Sequence, residues 1–129
     1  MSDGRWAYWN AGLAPLLGAA GVALAAVAAH RVSDTQLATA SQFLIVHAAA
    51  ALALTAFGAG GERRTGFLAA ASLMIFAVSL FSGDLVVRAF TGERLFPFAA
   101  PTGGSLLILS WVVAAFWGLR GAFSARGRG

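Results

Sequence analysis

Residues 35–61 read TQLATASQFLIVHAAAALALTAFGAGG, and this run decides the fold. It has no charged residue; its one ionisable side chain is His47, near the middle. About 20 apolar residues cross the hydrocarbon core of a bilayer as a helix, so the run is long enough to span a membrane. Burying an ionisable group at that depth is costly, which makes His47 a functional candidate by default.

Working outward, the same pattern recurs three times. Gly12 to Ala29 is uncharged and rich in Ala, Leu, Val and Gly; Thr65 to Gly83 is a third such run, and Leu95 to Leu119 contains a fourth. The reading is an all-α membrane protein, a single integral domain over residues 1–129, folded as a four-transmembrane-helix bundle with helices at about 9–29, 35–61, 65–84 and 102–119. Pro97 and Pro101 stand at the front of the last run. They predict a prolyl segment in which Pro101, Gly103 and Gly104 form a re-entry turn before regular helix resumes. The loops, His30 to Asp34, Glu62 to Arg64 and Asp84 to Pro101, are short, and only the third has room for structure of its own.

Composition agrees. With 59% hydrophobic residues, mean hydropathy +0.77 and 11% charged residues, the chain lies far from the soluble average of roughly a quarter charged. All nine basic residues are arginine and the formal net charge is +4. The arginines end apolar runs instead of clustering with exposed aromatics, so the expected partners are the lipid bilayer and other membrane protein subunits, and not nucleic acid. Without cysteine there is no disulfide, thiolate metal site or cysteine nucleophile. An inside N-terminus places Arg5, Arg63, Arg64, Arg120, Arg126 and Arg128 in the cytoplasm and Arg31, Arg88 and Arg94 outside. Six against three predicts cytoplasmic N- and C-termini. Ala26-Val27-Ala28 mimics a signal-peptidase site, but the apolar run is too long and its leading charge too small, so the first helix is expected to stay.

Small residues mark helix contacts. Gly21, Ala25 and Ala29 in the first helix, with Ala14 and Gly18, and Ala49, Ala53 and Ala56 in the second, predict close packing within the chain.

Three polar groupings carry what chemistry there is. His47, with Gln42 as a second buried polar candidate, suits an interhelical hydrogen bond; a proton relay is the sharper alternative. His30, Asp84 and Arg88 form an expected outer-rim cluster, solvated or facing the headgroups, in which Asp84 and Arg88 can pair across one helical turn; the sharper alternative is that His30 gives Asp84 a hydrogen bond or proton. Ser79, Ser82, Ser105 and Ser110 could extend a polar line toward His47, although membrane serines more often serve packing. Two histidines at opposite depths cannot hold one haem, and no third ligand completes a zinc site, so no metal and no cofactor is expected.

These segments taken in order, Ala25-Ala26-Val27-Ala28-Ala29-His30, Phe43-Leu44-Ile45-Val46-His47, Leu80-Phe81-Ser82-Gly83-Asp84-Leu85, Thr91-Gly92 and Ala100-Pro101-Thr102-Gly103-Gly104 with Trp111 beyond, resemble the family called domain of unknown function 423. Its members are small bacterial inner-membrane proteins with eukaryotic relatives. The resemblance spans about residues 12 to 119 and implies a compact four-helix membrane fold without an established chemistry. Ala25 and Ala28 replace the family's usual glycines, Leu44 its glutamine, Asp84 its serine and Arg88 an apolar residue.

The expected function is therefore that of an accessory or assembly subunit of a larger membrane complex in a bacterial inner membrane. The alternative is a small transporter or proton-conducting protein using His47. An enzyme is not expected, because no nucleophile, base and orienting group converge at one depth.

Overall fold

The computed structural model describes residues 3–31, 35–61 and 63–127; residues 32–34 and Glu62, assigned above to the first two loops, and Arg128 lie outside the described residues. Four helices follow one another: α1 Asp3–His30, α2 Thr35–Gly58, α3 Arg64–Thr91 and α4 Ala99–Arg126. All four are long and apolar enough to cross a membrane. A 28-residue helix such as α3 is about 42 Å long, more than the roughly 30 Å of a hydrocarbon core, so its ends reach the headgroups.

The contacts give the topology. Gly18 and Gly21 of α1 meet Ala48 and Ile45 of α2, Ala40 and Gly58 of α2 meet Ser82 and Phe67 of α3, and Gly103 and Gly66 meet Phe81 and Trp117 across the α3–α4 seam. In each pair one number rises as the other falls, so sequential helices are antiparallel. α1 runs parallel to α3, with Asn10 bonded to the Leu68 carbonyl. α3 packs against all three other helices, whereas α4 packs chiefly along α3. The shared core holds Ala14, Leu44, Ala51, Met74, Val78 and Leu107.

α1 and α4 each bury one narrow stripe. In α4 it runs through Gly103, Leu107, Ser110 and Ala114, the three-and-four spacing of a single helix face. Where the stripe is glycine the backbones nearly touch. A Cβ on Gly103 would lie 2.6 Å from the Phe81 nitrogen, and the Trp117 indole occupies the space that a side chain on Gly66 would need. On α2 the buried small residues include Ala40, Ser41, Ala48, Ala51 and Gly58; Ala49, Ala53 and Ala56, expected at the contact, are exposed. Both sets sit in apolar surroundings, so composition alone did not separate them.

Several boundaries differ from the sequence expectation: α1 begins at Asp3, α2 ends at Gly58 and α4 runs on to Arg126, and two further differences bear on the polar groups. α3 runs through Gly83 and Asp84 to Thr91, because Arg88 neutralises Asp84 one turn on, inside the same helix. α4 begins at Ala99, so Pro101, Gly103 and Gly104 are helical and form no re-entry turn. Pro101 stands in the first turn, where the N–H that proline lacks would have no intrahelical partner. The turn itself is residues 92–98, opened by Gly92 (φ 77°) and closed by Phe98 (φ 67°). A left-handed phenylalanine is costly, by about 1–3 kcal/mol. The Phe98 carbonyl accepts from Thr102 N–H and starts the helix.

Candidate functional site

His47 is buried at the middle of α2. Its Nδ1 lies 2.8 Å from the Phe43 carbonyl oxygen. A carbonyl only accepts, so Nδ1 carries a proton. The ring stacks on Phe43 at 5.4 Å and meets the edge of Trp111 of α4 at 6.0 Å. The hydrogen bond is thus made within α2, where an interhelical one was expected; only ring packing crosses to α4. Gln42 is exposed and does not share the site. Five residues on a helix turn about 140° past a full circle, which sends the two side chains to different faces.

The serines do not continue a path from His47. Ser79, Ser105 and Ser110 donate to carbonyls of their own helices, of Ile75, Pro101 and Leu107. Ser82 crosses to the Ala40 carbonyl (3.2 Å) and Ser41 to the Gly21 carbonyl (2.7 Å), so both tie neighbouring helices together. Packing is the use each hydroxyl has here.

Asp84 is fully buried, not at a solvated rim. It stands about 10 Å from the midpoint of α3. Arg88 Nη2 donates to Oδ2 at 2.6 Å, and the backbone N–H of Leu95 donates to Oδ1 at 2.8 Å. One carboxylate thereby holds a cation one turn up its helix and the chain segment that leads into α4. Arg88 keeps a quarter of its side chain exposed, enough for the guanidinium to reach the headgroups. His30 is exposed at the end of α1, away from these bonds. Its neighbour Arg31 lies over the Phe90 ring at 4.8 Å.

Sequence reasoning missed a third polar group. Trp6 Nε1 donates to Ser72 Oγ (2.8 Å), Ser72 donates to Asn10 Oδ1 (2.8 Å), and Asn10 Nδ2 donates to the Leu68 carbonyl (3.1 Å). Asn10 is buried, and the chain of bonds fastens α1 to α3. A lone asparagine in an otherwise apolar span was the available signal, overlooked because it carries no charge. Beside it a groove of 540 Å³ runs between α1 and α3, lined by Leu13, Leu16, Phe76 and the Asn10–Ser72 pair. Among the described residues no three histidine or acidic side chains gather as a metal site.

Four helices long and apolar enough to span, held to one another by buried polar side chains, define a multi-pass membrane protein built as a small bundle. The chain belongs to the family described as Protein of unknown function (DUF423), whose model matches residues 24–104. The matched region holds His47 and Asp84; Trp6, Asn10 and most of α4 lie outside it. No solved structure matches the chain.

Proposed function

We propose that this protein is a non-catalytic accessory or assembly subunit of a larger membrane complex, set in a bacterial inner membrane with both termini in the cytoplasm. The observation that carries the reading is the α1–α3 groove. That groove faces outward with large apolar side chains on its walls, Leu16 at 67% and Phe76 at 61% exposure, and with buried Asn10 and half-buried Ser72 at its side. Lipid chains can cover such a surface, but a partner helix with small residues fits its cross-section and adds van der Waals contact that fluid lipid lacks.

The buried polar side chains favour the same reading. Asn10, Ser41, His47, Thr55, Ser82, Asp84 and Ser110 each bond within the chain, as in a scaffold held rigid for docking. Proton conduction through His47 draws less support, since its Nδ1 proton is held by its own helix and the serines lead elsewhere.

A photo-crosslinking residue at Leu13 or Phe76 tests the reading in native membranes. The expected product is a discrete adduct with another membrane protein, weaker from Phe57 on a different face. Adducts to lipid alone from both groove positions would refute it.

A further inference from the structure

Among the described residues Arg5, Arg63, Arg64, Arg120 and Arg126 lie at the end where α1 starts, α3 starts and α4 finishes, whereas Arg31, Arg88 and Arg94 share the opposite end with Asp84 and Glu93. A cavity of 310 Å³ opens at the basic end, between the last turn of α2, the start of α3 and the end of α4. Phe57, Phe67 and Trp117 line it, and Arg63 is its cation. The space exists because α4 presents Gly118 and Gly121 there. A Cβ on Gly118 would meet nothing within 4 Å, and one on Gly121 would meet only the Arg63 side chain at 3.8 Å.

The electrostatics favour an anion. Arg63 caps α3 and Arg64 begins it, no acidic residue lies in the first turn, and no side chain caps the helix start, where the Arg64, Gly66 and Phe67 N–H groups bond to backbone carbonyls. Two cations therefore stand at the positive end of a helix dipole, an arrangement that a bound anion relieves. Arg63 Nη2 donates to Ser124 Oγ at 2.6 Å, and a guanidinium has further N–H groups to give. Arg63 lies about 22 Å from the midpoint of α3, the level of lipid phosphates, while the aromatic wall extends toward the acyl region.

We propose that this cavity binds one anionic phospholipid, its phosphate on Arg63 and its glycerol and upper acyl chain against Phe57, Phe67 and Trp117. The site is independent of any partner subunit in the α1–α3 groove. Native mass spectrometry of the full chain, exchanged into micelles with dioleoylphosphatidylglycerol or dioleoylphosphatidylcholine, tests it. The wild type should retain one phosphatidylglycerol with a preference of about fivefold, the factor one basic residue contributes near an anionic surface. Gly118→Leu should abolish retention by filling the cavity, and Arg63→Gln should remove the preference. Ser124→Ala, which frees the guanidinium, and Arg5→Gln, which removes the same charge at the same end on α1, should preserve it. Equal retention of the two lipids by the wild type overturns the proposal. So does an Arg5→Gln loss as large as that of Arg63→Gln, which signals diffuse charge, or displacement by excess inorganic phosphate, which signals a free-anion site. If Arg63→Gln does not fold, retention by Gly118→Leu equal to wild type overturns it by itself.

Discussion

Removing the Asp84 carboxylate should loosen the junction between α3 and α4 more than any other single polar change on that side of the bundle. Two donors converge on it, the Arg88 guanidinium at 2.6 Å and the Leu95 N–H at 2.8 Å. Hydrogen bonds to a charged group contribute about 1.5–3 kcal/mol each, so complete loss of both would cost about 3–6 kcal/mol. Neither donor is left fully stranded. Arg88 is partly exposed and can turn to lipid phosphates, and Leu95 sits in an exposed turn where water reaches its N–H. Asp84→Ala should therefore destabilise the fold by about 2–4 kcal/mol, and Asp84→Asn, which keeps an acceptor for Leu95, by about half of that. The double change Asp84→Ala with Arg88→Ala should cost less than the sum of the two singles, with a coupling of at least about 1 kcal/mol. Equilibrium unfolding in mixed micelles measures each term, and limited proteolysis at Arg94 reads out release of the turn. A wild-type-like Asp84→Ala protein, or a double-mutant cycle with no coupling, would refute the reasoning.

Gly66→Ala places a methyl in the Trp117 ring and should cost about 1–3 kcal/mol, with α4 labelled more readily by a lipid-soluble probe; unchanged stability would mean that α4 is already loose. Asn10→Ala breaks the link between Ser72 and the Leu68 carbonyl and should cost about 1–2 kcal/mol in the same unfolding assay, with a red shift of Trp6 fluorescence as its indole loses order. His47→Leu should be mild, within about 1 kcal/mol, because the Phe43 carbonyl keeps its helical bond; a large loss of proton flux in vesicles with the fold intact would reinstate the conduction reading. Reporter fusions after Gly129 should behave as cytoplasmic and fusions at Glu93 as external, as the arginine distribution requires; a C-terminal reporter outside would invert the orientation.

The sequence alone determined the four spans, their order and the depth of His47. Charge is too costly in hydrocarbon to be placed casually, so uncharged runs mark the spans, and a fixed rise per residue converts position into depth. It did not determine which face of each helix packs. In a soluble protein the buried face is apolar and the outer face polar, but here lipid and neighbouring helices both take apolar side chains, so the pattern around each helix carries little contrast. Hence Ala49 and Ala53 could not be told from Ala48 and Ala51, and Gln42 could not be assigned to the outside. The same limit hid the fates of Asp84 and Pro101. A carboxylate after Gly83 reads as the end of a span until a guanidinium one turn on and a backbone N–H eleven residues on are brought to it, and a proline reads as a break until it falls within a first turn. The Arg88 pairing lies within α3 and was readable from its spacing; the Leu95 N–H reaches Asp84 only when the 92–98 turn folds back to seat α4 on α3, and that step tertiary structure, not local sequence, decided.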